Sequence, residues 1–352
     1  MSDASHQGAG AERATVAVVG LDGPLRQKVT ALLEDSPAVE RVVALDPPGT
    51  ETDLEGPLAG VTTLVDLARR PRPEPGAGMV PAIAEHTGAL VQAAAAAGID
   101  HVVVVSSAAV YGARPENPVP LTEEASLHPN QGADYALEKA EIERRWAAWA
   151  DQVEGARLAV LRPALVVGEH EERWLAVALR AASWLATVEG DAPAQFLHVD
   201  DLAAAVALAV ERRLAGSYNV APEGWLAPGE VRALTGALPR LPVPRRLATS
   251  VARWSWHRGL GSLPPDLIAY GAQPWVVAGD RLRAEGWEAR HSNAEALVDA
   301  YEGMPWTRLS PKRRQELALG TATAAVVGGP LALALFARRW WRRRRHGGSA
   351  GS

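Results

Sequence analysis

The chain has 352 residues and is 47% hydrophobic, enough to bury the core of one large domain with a lobe, or of two domains. A net charge of −5 and a pI near 6.0 argue against a body built to bind nucleic acid. The sequence has no cysteine, which excludes disulfides, thiolate metal centres and a cysteine nucleophile, and leaves the redox compartment open.

Residues 1–13 are small and polar and lack the apolar centre of a signal peptide, so a disordered lead is expected there. Thr15–Val19 reads as a strand, Gly20-Leu21-Asp22-Gly23 as a turn, and the following residues to about Glu34 as a helix. Val39–Leu45 is a second strand, ending at Asp46. Strand, glycine turn, helix, strand and a terminal acid open a dinucleotide-binding unit. Gly20 and Gly23 would let the backbone approach a pyrophosphate resting on the helix N-terminus. Asp46 would bond the adenosine ribose 2′-hydroxyl and repel a 2′-phosphate, favouring NAD over NADP. A short strand is expected over Thr50–Leu54 and a buried one over Val61–Leu67. Arg69–Gly78 reads as a Pro/Gly-rich crossover and Val80–Gly98 as an alanine-rich helix.

The most informative stretch runs from His101 to Lys139. Val102–Val105 predicts a strand buried on both faces, and it ends in Ser106-Ser107. Val110-Tyr111-Gly112 and a long polar loop follow. The helix expected over Asp134–Trp149 then places Tyr135 and Lys139 one turn apart on one face. A serine at a strand end and a Tyr–Lys pair on the next helix suit proton transfer to an alcohol or carbonyl: the ammonium favours the phenolate, and the serine polarises the substrate oxygen. Arginine supplies nearly all the positive charge and the chain has three lysines (Lys28, Lys139, Lys312), so a chance Tyr-x-x-x-Lys is rare.

SSAAVYG followed by YALEK resembles the extended short-chain dehydrogenase/reductase family, the NAD-dependent epimerase/dehydratase group, from about Ala14 to Leu297. The resemblance implies Tyr135 as acid/base, Lys139 as its partner and ribose contact, and Ser107 rather than Ser106 as the catalytic hydroxyl. It also implies adenine contact at Asp53 with Leu54 beside it, a cofactor-contacting turn at Leu67-Ala68, and a nicotinamide-side stretch at Arg162-Pro163. Homodimers through the catalytic helix are a further implication. The chain departs from the family in four places. Val19 replaces the usual Thr before the glycine turn, Arg26 the third glycine, Asp66 the usual His before Leu67, and Ile83 a usual Asn, while Thr87 is retained. Ala108-Ala109 stand where sugar 4,6-dehydratases carry acids, so a dehydratase of that type is not expected.

Farther on, Arg157–Leu161 reads as a strand. Gly168–Glu172 gathers His170 and three acids; with no second His at ligand spacing, a solvated helix start is expected and no metal centre. Asp201 is expected to cap a helix over Leu202–Val210, and Tyr218-Asn219-Val220 to form a late strand. Six of the twelve tryptophans lie between Trp225 and Trp306, within a substrate lobe, where they suit core packing or an aromatic wall for a sugar ring or lipid. Leu317–Ala337 is uncharged, long enough to cross a bilayer, and flanked by Lys312–Arg314 and the arginine-rich stretch Arg338–Arg345.

The expectation is an α/β chain in six stretches: a lead (1–13); a Rossmann-type doubly wound parallel sheet (14–222) with part of the lobe inserted near 168–195; a small C-terminal α/β substrate lobe (223–300); a linker (301–316); a C-terminal hydrophobic helix (317–337); and a basic tail (338–352). It would bind NAD and a small-molecule substrate, a nucleotide sugar or a lipid, and sit on the cytoplasmic face of the cell membrane through residues 317–345. A worn Rossmann fold serving as a non-catalytic scaffold is the competing expectation.

Overall fold

The computed structural model describes residues 13–47, 54–68, 81–168, 192–235, 250, 253–254, 258 and 268–302. Most of the lead, Asp53, Glu169–Glu172, nearly all of the linker, the 317–337 run and the basic tail lie outside them. Among the described residues no helix is long and apolar enough to cross a membrane.

Six strands form one parallel sheet in the order β2 (Val39–Leu45), β1 (Ala14–Val19), β3 (Thr63–Asp66), β4 (His101–Val105), β5 (Arg157–Pro163), β8 (Gly216–Val220). Their unbroken apolar runs follow from burial on both faces; Val102, Val103 and Val104 are fully enclosed. Helices α1 (Pro24–Glu34) and α5 (Val199–Glu211) cover one face, and α3 (Pro81–Ala96) and α4 (Asp134–Gln152) the other. The chain leaves β1 toward β2, then returns to β3 on the opposite side of β1. That reversal opens a crevice beyond the carboxyl ends of β1 and β3, where doubly wound sheets bind ligands.

Helix α4 carries its buried residues at helical spacing: Lys139, Ile142, Glu143, Trp146 and Trp149 form one stripe against the sheet. Trp146 and Trp149 meet edge to face at 5.7 Å and anchor the stripe. The helix face that packs is therefore also the face that carries the Tyr–Lys pair.

Three local expectations need correction. Leu54 does not continue a strand; it precedes the short helix α2 (Glu55–Leu58), buried in the core beneath β1 and α4. Helix α5 starts at Val199 and its cap is His198, whose Nδ1 accepts the Asp200 N–H at 3.2 Å. Asp201 instead accepts from the Arg290 and His291 amides at 2.9 and 3.1 Å, tying the lobe's last segment to the sheet domain. Outside the main sheet, β6 (Leu165–Val167) and β7 (Phe196–His198) pair in parallel, an arrangement the sequence did not announce. The described part of the lobe is helical, α6 (Pro228–Thr235), α7 (Ile268–Ala272), α8 (Asp280–Ala284) and α9 (Asn293–Glu302), joined to the rest by isolated bridges at Leu121–Val277 and Ala194–Leu226.

Candidate active site

Strand β4 delivers Ser106 and Ser107 to the carboxyl edge of the sheet. Ser107 is extended, and its Oγ accepts the Ala109 N–H at 3.2 Å, capping the 3-10 turn Ala108–Tyr111. Gly112 ends that turn at φ 76°, and a Cβ there would lie 2.1 Å from the His128 carbonyl oxygen, so only glycine fits. From α4, the Lys139 Nζ donates to the Val105 carbonyl at 3.0 Å and to the Ala68 carbonyl at 2.8 Å. It lies 5.8 Å from the centroid of the half-buried Tyr135 ring. The fold thus gathers Tyr135, Lys139, the strand end leading into Ser107 and the Leu67-Ala68 turn at one point of the crevice.

Asp66, the departure before that turn, shapes it. Its Oδ1 accepts the Ala68 N–H at 2.8 Å and its Oδ2 the Trp146 indole N–H at 2.9 Å, holding Ala68 at the unusual φ of 46°. Burial pushes the Asp66 carboxyl pKa up, against the Trp146 and Ala68 hydrogen bonds and the Lys139 charge. The Ala68 carbonyl that meets Lys139 is therefore presented by a buried acid.

Beneath the site lies a polar network. Glu143, one turn beyond Lys139, accepts from Ser106 Oγ and from the Arg162 Nη2 at 2.7 Å. Arg162 Nη1 reaches Tyr111 Oη at 2.9 Å, and Tyr111 donates to Asn219 Oδ1 at 2.8 Å. Burial works to lower the Arg162 pKa, but Glu143 and Tyr111 raise it above its ordinary value. Its guanidinium braces α4 against β5 and the turn after β4, a different task from the cofactor contact expected of it; Pro163 lies buried at the end of β5. Ser106 is committed to the same network, whereas Ser107 is not part of it. Glu143 could have been found by extending the Tyr135–Lys139 spacing one more turn.

At the dinucleotide end, the space beside Gly20 faces β3: a Cβ there would lie 2.9 Å from Leu67 Cβ. Its lack of a side chain thus serves the close approach of β1 to the Leu67 turn. Gly23 is extended (φ 167°), and α1 begins there with no side-chain cap. Arg26 folds across to β2: Nη1 donates to the Gly20 and Leu45 carbonyls at 2.8 and 3.2 Å and to Asp46 Oδ1 at 2.7 Å, while Nη2 lies 3.2 Å from Asp22. Asp46 itself is 80% exposed, on the rim of the crevice. An uncapped helix start, a carboxylate at the end of β2 and an ammonium at the end of β4 fit the phosphate, adenosine ribose and nicotinamide ribose of a dinucleotide.

A second cluster adjoins the start of α1. His198, Asp200 and His291 bring donor atoms within 4.8 Å of one another, beside a cavity of about 700 Å³. Its side chains are already engaged: His198 Nδ1 takes the Asp200 amide, its Nε2 lies 3.1 Å from Asp299, and the Lys28 ammonium sits 2.5 Å from Asp200. This is a charge network with its own resident cation, and it makes a poor metal cage.

The profile of the NAD dependent epimerase/dehydratase family matches residues 75–221. The 3-diazoavenalumate denitrifying reductase of a Streptomyces species is 33% identical over 302 residues, covering 77% of this chain and 92% of that protein. An uncharacterized protein of Mycobacterium bovis is 26% identical over 221 residues, covering 62% of this chain and 58% of its own length. Among solved structures, MoeE5 in complex with UDP-glucuronic acid and NAD superposes with a TM-score of 0.60 at 22% identity, over 84% of this chain and 99% of MoeE5. A parallel sheet with its switch point between β1 and β3, a Tyr–Lys pair at the end of β4 and one-third identity across nearly the whole of a reductase converge: the chain belongs to the NAD dependent epimerase/dehydratase family.

Proposed function

We propose that this chain is an NAD-dependent oxidoreductase or epimerase of a sugar-nucleotide or lipid-like alcohol or ketone. The observation that carries the reading is the Lys139 ammonium, held between the Val105 and Ala68 carbonyls beside the Tyr135 ring. Tyr135 Oη removes the proton of a substrate hydroxyl in the oxidative direction and returns it in the reductive one. Lys139 stabilises the phenolate that this requires. Ser107 Oγ accepts the Ala109 amide and keeps its own hydrogen for the substrate oxygen. When bound, NAD supplies the hydride acceptor and donor; Asp46, the start of α1, the Leu67-Ala68 turn and Lys139 would hold it. Ala108 and Ala109 offer no acid for eliminating water, so dehydration is outside this proposal.

Tyr135 and the half-buried Trp275 pack against an apolar cluster that includes Phe196, Leu226 and Tyr270, whose Oη donates to the Ala109 carbonyl at 2.8 Å, and this face would receive the substrate. Such a wall suits a sugar ring or a hydrophobic alcohol. Residues 317–345 carry the membrane side of the proposal, an anchor on the cytoplasmic face. Two departures favour a second reading, a non-catalytic scaffold: Arg26 replaces the third glycine of the phosphate-binding turn and Ile83 a usual Asn. The test incubates the full chain and Tyr135→Phe with NAD⁺ and two panels, UDP-sugars and hydrophobic secondary alcohols. Turnover by the parent and its loss in Tyr135→Phe, at unchanged melting temperature, is the expected result; full activity in the variant would sink the mechanism. NAD⁺ binding without turnover of either panel would favour the scaffold.

A further inference from the structure

The third glycine of the phosphate-binding turn is absent here, and Arg26 stands in its place. A glycine in that position contributes by having no side chain. This arginine does the reverse: its side chain is 14% exposed and satisfies four acceptors drawn from two segments, the turn before α1 and the end of β2. The Gly20 carbonyl and Asp22 belong to the turn before α1, and the Leu45 carbonyl and Asp46 to the end of β2. Nη1 serves three of the four, and Asp46 is held through Oδ1. An exposed aspartate at a strand end ordinarily samples several rotamers, and holding it in one removes an entropic penalty from any ligand that needs it.

We infer that Arg26 is a positioning residue that fixes the Asp46 carboxylate for the adenosine ribose 2′-hydroxyl, so that restoring the family's glycine here damages NAD binding. The inference rests on the dinucleotide reading above and deepens it. Charge supports the direction. Two carboxylates, Asp22 and Asp46, surround one guanidinium, so this corner keeps a net negative charge that disfavours a 2′-phosphate. Arg26 itself is spent on its four acceptors. It orients the discriminating acid without inviting NADP.

The experiment titrates the full chain, Arg26→Gly and Arg26→Lys calorimetrically with NAD⁺, NADP⁺ and the NAD⁺ analogue carrying 2′-deoxyadenosine. Loss of one oriented charge-assisted hydrogen bond predicts NAD⁺ binding about tenfold weaker in Arg26→Gly. It also predicts a narrower NAD⁺ over NADP⁺ preference and a change of less than about twofold for the deoxy analogue, which cannot use Asp46. Arg26→Lys keeps the charge without the fork and should fall between the two. NAD⁺ binding as tight or tighter in Arg26→Gly would overturn the inference. So would equal weakening of all three ligands, which would mark Arg26 as merely structural. If the parent chain binds no dinucleotide, the cofactor reading falls and takes this inference with it.

Discussion

At the end of β4 the groups proposed to carry the chemistry are side chains, Ser107, Tyr135 and Lys139, within the stretches SSAAVYG and YALEK that resemble the family's motifs. At the end of β1 the groups that would touch a cofactor are largely backbone, Gly20 and the start of α1, and there the pattern has drifted to Arg26. Reacting atoms demand particular functional groups at particular points, and few substitutions survive. A backbone cradle demands only a shape, which another set of contacts can hold, here a guanidinium spanning Gly20, Leu45 and Asp46. The two ends also differ in depth: Lys139 is 3% exposed above the buried Glu143–Arg162 pair, whereas Asp46 stands in solvent.

The contrast can be broken most forcefully at Tyr135. Tyr135→Phe should lower turnover by about 10³-fold while leaving dinucleotide affinity nearly unchanged, since general acid–base groups contribute on that scale; single-turnover kinetics beside a binding titration separates the two. Glu143→Gln tests the foundation under the same end. Removing one partner of a buried pair should cost about 3–5 kcal/mol in urea unfolding, because Arg162 is left uncompensated. A loss below about 1 kcal/mol would mean that water reaches the pair.

Acid sharpens the comparison at the base of the sheet. Burial, aided by the Arg213 charge, lowers the His101 pKa from 6.5 to about 4. The native imidazole therefore stays neutral while the unfolded chain takes up a proton below 6.5. The contribution to stability is whole above that pH and drains away as pH falls toward about 4, by up to about 3 kcal/mol. His101→Gln should flatten this slope when denaturation is compared at neutral pH and near pH 4. The smallest expected effect separates the adjacent serines. Ser106→Ala removes one hydrogen bond to Glu143, so stability should fall by about 1 kcal/mol with kcat nearly intact. Ser107→Ala should instead reduce kcat with little loss of stability.

Much of this was legible before any coordinates. Valine runs such as Val102–Val105 announce strands buried on both faces, and the spacing of Tyr135 and Lys139 follows from the period of α4. What escaped was held by contacts distant in sequence. Arg26 meets Asp46 across 20 positions, Glu143 meets Arg162 across 19, and Asp201 meets Arg290 across 89. Residue type shows that such groups need partners without naming them. Leu54 is misread because Thr50–Leu54 has a single apolar residue and no clear period; its burial in the cluster shared with β1, α3 and α4, just before α2, is visible only in the fold. Arg162 was assigned to the cofactor by its motif alone, and the acid that claims it, Glu143, looked like one more polar residue on a helix rich in them.

The central claim, that this crevice holds a dinucleotide with Asp46 selecting its ribose, is tested most directly by titrating the full chain with NAD⁺, NADH, NADP⁺ and NADPH. The account predicts micromolar affinity for NAD(H) and at least about tenfold weaker binding of NADP(H), the loss expected when a 2′-phosphate meets the net negative corner formed by Asp22, Asp46 and Arg26. Tighter binding of NADP(H), or no binding of any of the four, would contradict it.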